Sequence, residues 1–171
     1  MQKNILYAVA FVVLVLLQIF LIDNISLGIY FHPIIYITFI IIMPLDSKPL
    51  LVLLLSTLMG LIIDMFTGMG GLNVIATTAT GFLRPFMLSL AMGHSASTDG
   101  ATPSLHRLSP KILLWYIIWM VGLHSTIFFF LESLSLTHMP YTLLRLVVSD
   151  TISVIMIWYL VKLFTQKILN R

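Results

Sequence analysis

The stretch GIYFHPIIYITFIIIMPL, residues 28–45, decides the architecture, because it determines whether the chain crosses a bilayer five times or six. Pro33 through Pro44 is 12 residues, short of the roughly 20 that a straight helical crossing needs and closer to a re-entrant segment. The distribution of lysine and arginine argues that it crosses. With six crossings, Lys3, Lys48, Arg107, Lys111, Lys162, Lys167 and Arg171 all face the cytoplasm, and the outer loops carry no lysine or arginine. That is a positive-inside pattern. With five crossings, Lys162, Lys167 and Arg171 end up opposite Lys3. The sequence therefore predicts an all-α membrane protein of six transmembrane helices with both termini cytoplasmic.

Outward from that segment, the other spans are read at about 4–22, 49–66, 73–92, 111–133 and 141–161, each long enough for a bilayer. Together the six make a single transmembrane domain covering residues 1–171. Composition agrees: 60% of the residues are hydrophobic and 9% charged, where a soluble domain has about 25% charged residues. The first apolar run exceeds the h-region of a signal peptide, and Asp23-Asn24-Ile25-Ser26 is no small-residue cleavage site, so it is read as a retained helix. Trp115, Tyr116, Trp158 and Tyr159 fall where a cytoplasmic aromatic belt is expected. Residues 93–110, rich in Ser, Thr and Gly, read as a cytoplasmic loop. The net charge of +3 reports topology and not nucleic acid.

Charges inside the spans carry the most information, since each must be paired or face water. Helix rise places Arg84, His124 and Asp150 in the middle of the bilayer, with Asp64, Glu132 and Arg145 nearer its outer surface. Matching charges by depth predicts that Arg84 pairs with Asp150 and that Arg145 meets Glu132, Asp64 or both. Signs balance within each layer, so the pairs are read as packing locks. His124 has no second histidine at ligand spacing and is expected to be a hydrogen-bonded core residue. Phe128-Phe129-Phe130 is expected to pack in the bundle or face lipid. Gly60 and Gly81 are expected to let helices approach, and Thr67-Gly68-Met69-Gly70-Gly71 to form a tight outer turn.

No catalytic constellation emerges, and no cofactor or metal is expected. Zero cysteines remove thiol catalysis, thiolate metal sites and disulfides. Asp64 and Asp150 superficially suit an aspartyl dyad, but neither stands in a Gly-x-Gly-Asp context and their depths differ. The glycine-rich turn follows a membrane helix and lacks the Lys-Ser or Lys-Thr of a phosphate loop.

Several polar landmarks resemble the MreD family of the bacterial rod-shape system. They are Gln18, Pro33, the run Gly60-Leu61-Ile62-Ile63-Asp64-Met65-Phe66-Thr67-Gly68 continuing to Gly71-Leu72, and Phe82-Leu83-Arg84-Pro85-Phe86. His124 with Phe128 to Glu132, and Leu143-Leu144-Arg145 with Ser149, are similar to Bacteroidetes-type members. The resemblance implies a noncatalytic scaffold of the cell-wall elongation complex in the bacterial inner membrane. Such a scaffold binds the single-span protein MreC and links it to MreB filaments, a RodA-type glycosyltransferase and a penicillin-binding transpeptidase. The implied fold is similar to the substrate-binding subunits of energy-coupling factor transporters. Gly60, Asp64, Gly68, Gly71 and His124 are the motif positions that the resemblance marks for partner binding. The alternative is a vitamin-binding subunit of an energy-coupling factor transporter, although the expected polar pocket is thin and Ala8 and Ala10 lack small-xxx-small spacing.

Overall fold

A computed structural model describes residues 2–24, 33–92, 108–133 and 139–165. Residues 28–32 of the second predicted span, most of the 93–110 loop, and Arg107, Lys167 and Arg171 lie outside the described residues. Among the described residues all regular secondary structure is helical, with no strand. Helix α1 covers Gln2–Leu16 and runs on as a π-helical turn, Leu17–Ile22. Then follow α2 Thr38–Ile42, α3 Pro49–Thr67, α4 Leu72–Met92, α5 Pro110–Ser133 and α6 Met139–Phe164. Among the described residues five helices are long and apolar enough to cross a membrane: α1 with its π-turn, α3, α4, α5 and α6. Exposed Val12, Leu54, Phe82, Phe130 and Ile155, one on each, give them the outer apolar coat that lipid requires.

The predicted second span appears within the described residues as something shorter. The chain is irregular from Pro33 to Ile35, turns, and forms only the five-residue α2. Pro44 stops the helix by forcing the preceding residue out of the helical region, and Met43 has φ −53° and ψ 144°. Residues 34 to 43 nonetheless form a continuous buried run, none more than 3% exposed. The segment runs antiparallel to α1. Pro33 and Ile35 bond to Gln18, Phe39 packs edge-on against Phe11 at 5.1 Å between centroids, and Met43 and Pro44 line a groove with Tyr7. From Gln18 back to Tyr7 is about 16 Å along a helix axis.

Around this buried segment, α3 packs on α4, α4 on α5 and α5 on α6, while α2 touches α1 and α6 and α1 touches α3. Small residues bring α3 and α4 together, with Ser56 and Gly60 on one facing Thr77 and Gly81 on the other. A Cβ on Gly60 would lie 2.6 Å from the Asn73 carbonyl oxygen and 2.7 Å from the Val74 Cα, both backbone atoms that cannot rotate away. Gly60→Ala is therefore expected to destabilise the protein by about 2 kcal/mol through forced separation of the helices, measurable as a lower unfolding midpoint in detergent or bicelles. Next to this contact, Thr57 and Thr78 hydroxyls bond at 2.9 Å.

Candidate functional site

Non-helical backbone at membrane depth is tolerated only where other groups satisfy its N–H and C=O groups. The irregular segment 33–44 meets that demand through side chains from three helices. At its start the π-turn of α1, marked by the Asp23 N–H donating to the Gln18 carbonyl at 2.9 Å, turns Gln18, Ile19 and Ile22 inward. The Gln18 side chain accepts from the Ile35 N–H at 2.9 Å and donates to the Pro33 carbonyl at 3.3 Å and the Asp23 carboxylate at 2.7 Å. Ser153 of α6 accepts from the Ile34 N–H at 2.8 Å and donates to the Ser149 carbonyl. At the other end Arg84 of α4 donates through Nη1 to the Pro44 carbonyl at 3.2 Å, through Nη2 to the Met43 carbonyl, and through Nε to the Tyr116 hydroxyl at 3.0 Å.

Arg84 therefore does not pair with Asp150. Its guanidinium lies at the carbonyl end of α2, where the Met43 carbonyl and the Pro44 carbonyl, which also accepts from the Ser47 N–H, stabilise a cation. Helix α5 packs against both α4 and α6, and Asp150 lies beside Ser125 in a groove between α5 and α6. Tyr116 is also displaced from its expected role: it is fully buried under Arg84 and is no part of an interfacial belt, whereas Trp115 and Tyr159 are exposed. Among the described residues there is one ion pair, in which Arg145 donates to both oxygens of Glu132 at 2.9 and 3.0 Å while its guanidinium lies 5.0 Å from the Phe129 ring centroid. Phe128 and Phe129 are core residues and Phe130 is exposed.

Asp64 is engaged elsewhere, at the junction of α3 and α4. Its backbone carbonyl accepts from the Gly68 N–H at 2.9 Å, which closes α3 with Gly68 in the left-handed region at φ 71°. Gly70 and Gly71, also at positive φ, complete the reversal. The carboxylate then accepts from the N–H groups of Asn73 and Val74, at 3.2 and 2.9 Å, and from the Asn73 amide at 2.9 Å. An anion from one helix thus caps the N-terminus of the next. A side chain at Gly68 meets nothing within 4 Å, so Gly68→Ala carries only the backbone cost of about 1 kcal/mol, read from the same unfolding measurement.

From Asp64 a buried chain of polar groups crosses the bundle. The Asn73 amide nitrogen faces Asp64, so its oxygen faces Tyr36 and accepts the Tyr36 hydroxyl proton at 2.8 Å. With that proton committed, His124 Nε2, 2.8 Å from the same hydroxyl, must be the donor. The order is His124 to Tyr36 to Asn73 to Asp64, linking α5, the 33–44 segment, α4 and α3. His124 also stacks on Phe128. An amide in the middle of the chain does not relay protons as water or imidazole does, so the arrangement orients and locks its members. Among the described residues there is no cluster of three potential metal ligands.

The motif positions thus converge in part. Gly60, Asp64, Gly68 and Gly71 build the α3–α4 hairpin, and His124 joins them through Tyr36 and Asn73. Tyr36, Asn73, Ser153 and Tyr116 were not singled out from the sequence as polar holds; the available signal was a neutral hydrogen-bonding residue at an otherwise apolar position. Compared with known proteins, the chain matches no family model, no curated protein and no solved structure.

Proposed function

We propose that the chain is a noncatalytic scaffold of the MreD type in the bacterial inner membrane, with six crossings and both termini cytoplasmic. In this reading it holds an MreC-like single-span protein and connects it to MreB filaments, a RodA-type glycosyltransferase and a penicillin-binding transpeptidase. The observation that carries the reading is the use of polar groups. Gln18, Asp64, Arg84, Arg145 and Glu132 are spent on helix ends, irregular backbone and one ion pair, which favours a rigid surface for partners over a reaction centre. The antiparallel course of residues 33–44 beside α1 supports the sixth crossing and so the six-span arrangement similar to energy-coupling substrate-binding subunits.

The vitamin-binding alternative needs room in the outer half of the bundle, and that level is filled by Tyr36, Asn73, His124 and Phe128 in mutual contact. Depleting the protein in its native bacterium is expected to round the cells, and a tagged copy is expected to recover an MreC-like partner. Normal shape together with no such recovery would sink the proposal.

A further inference from the structure

The groove between α5 and α6, ≈ 400 Å³ in volume, has a carboxyl group on its wall. Asp150 lines it with Ile118, Gly122, Val147, Thr151 and Ile155. Val147 and Ile155 are more than half exposed, so the groove opens toward lipid. Ser125, fully buried, is the polar neighbour that interacts with the Asp150 carboxyl, and neither Ser125 Oγ nor Asp150 Oδ1 has a partner at full hydrogen-bond geometry among the described residues. Where a Cβ on Gly122 would project there is open space, a notch that lets another backbone come close. A carboxyl held by no more than a serine, beside an open notch on a membrane-spanning helix, is a recognition element for a stronger donor.

We infer that this groove docks a transmembrane helix of another protein, one that brings a lysine or arginine to Asp150. The identity of the occupant follows from charge. Both arginines within the described spans are engaged, Arg84 by carbonyls and Tyr116 and Arg145 by Glu132, so this chain has no spare arginine there to offer. A second copy seated by two-fold symmetry would bring its own Asp150 against the first, carboxyl to carboxyl. A foreign basic residue satisfies Asp150 and seals it from lipid in the same step. The inference rests on the scaffold reading for the partner being a membrane helix, and it adds the site and the chemistry of recognition.

The chain has no cysteine, so Leu163→Cys, on exposed α6 surface away from the groove, takes a single fluorophore. The full-length labelled protein in phosphatidylcholine bilayers is titrated with two leucine-alanine transmembrane peptides that differ only in a central lysine or leucine. Energy transfer is expected to report association of the lysine peptide at least about tenfold tighter than the leucine peptide, a modest factor for one intramembrane charge contact. Asp150→Asn should abolish the difference. Gly122→Leu should also abolish it, filling the notch from outside; this variant carries the test if Asp150→Asn does not fold. Equal association of the two peptides, or a folded Gly122→Leu protein that still prefers the lysine peptide, overturns the inference. So does energy transfer between two copies of the chain that Gly122→Leu abolishes, because the occupant is then the protein itself. The scaffold reading fails separately: a lysine peptide that binds while no MreC-like partner is recovered from cells overturns that reading alone. Equal recovery of such a partner by wild type and Gly122→Leu overturns the groove alone.

Discussion

Arg84→Met is expected to lower the unfolding free energy by about 3 kcal/mol, the range for removing one member of a buried, hydrogen-bonded charged site. The variant keeps the length and apolar bulk of the side chain and removes three donors. It leaves the buried Met43 carbonyl and Tyr116 hydroxyl without their partner, and removes one of the two donors to the Pro44 carbonyl, which keeps the Ser47 N–H. Part of the loss is offset because a cation no longer has to be buried, which keeps the expected cost below the sum of two orphaned groups. Arg84→Lys retains charge without the fork that reaches two carbonyls and a phenol together, and should recover less than half of the loss. Reversible unfolding in bicelles measures all three proteins.

Exchanging the charges separates this arrangement from an Arg84–Asp150 pair. A pair tolerates Arg84→Asp combined with Asp150→Arg. The observed geometry does not, since the exchange puts a carboxylate against two carbonyl oxygens and an arginine against the lipid-facing groove. The double variant is expected to be less stable than Arg84→Met. A double variant near wild-type stability would restore the pair and discard the carbonyl clamp. Asp150→Asn alone should stay within about 1 kcal/mol of wild type, because it breaks no formed ion pair.

The reasons for this difference show what the chain makes legible. Long apolar runs name their own helices, and α3, α4 and α5 begin or end within a residue of the expected limits. The glycine turn and the Gly60 contact were readable because glycine has few other uses at such places. Arg84 was not readable in the same way. Counting charges by depth treats side chains as the only bearers of charge, whereas a short helix ends at Pro44 and presents the Met43 and Pro44 carbonyls, which attract the guanidinium as a carboxylate would. The irregular course of residues 33 to 37 was hidden for a related reason: Gln18 and Ser153, which make it affordable, lie 15 and 119 residues away from the groups they satisfy. Arg145 was simpler, because its partner Glu132 is on the adjacent helix across a short connection at the same depth.

Asp64→Ala should also cost about 3 kcal/mol, more than a surface helix cap, whose loss is worth about 0.5 to 2. The excess comes from Asn73. Without the carboxylate, the first-turn N–H groups of Asn73 and Val74 are left open and the Asn73 amide loses the group that orients it. The amide can then turn, and Tyr36 and His124 lose the fixed acceptor at the end of their chain. Two measurements resolve this. Amide hydrogen exchange should accelerate most at Asn73 and Val74, with a smaller rise around Tyr36 and His124 and little change at the Arg145–Glu132 pair. A double-mutant cycle of Asp64→Ala with Asn73→Ala should show coupling of about 1 kcal/mol or more, as expected for residues sharing one hydrogen-bond network. Additive effects would mean that Asp64 caps α4 and does nothing further. Asp64→Asn sharpens the choice between lock and partner contact. Its carboxamide keeps one acceptor but turns an N–H₂ group toward backbone donors, so a lock predicts a loss of roughly 2 kcal/mol. A contact predicts wild-type unfolding with partner recovery abolished. Asp64 is only 8% exposed and its carboxylate already accepts three N–H bonds, so the expected result is the loss of stability, with partner recovery falling only as far as the folded fraction falls.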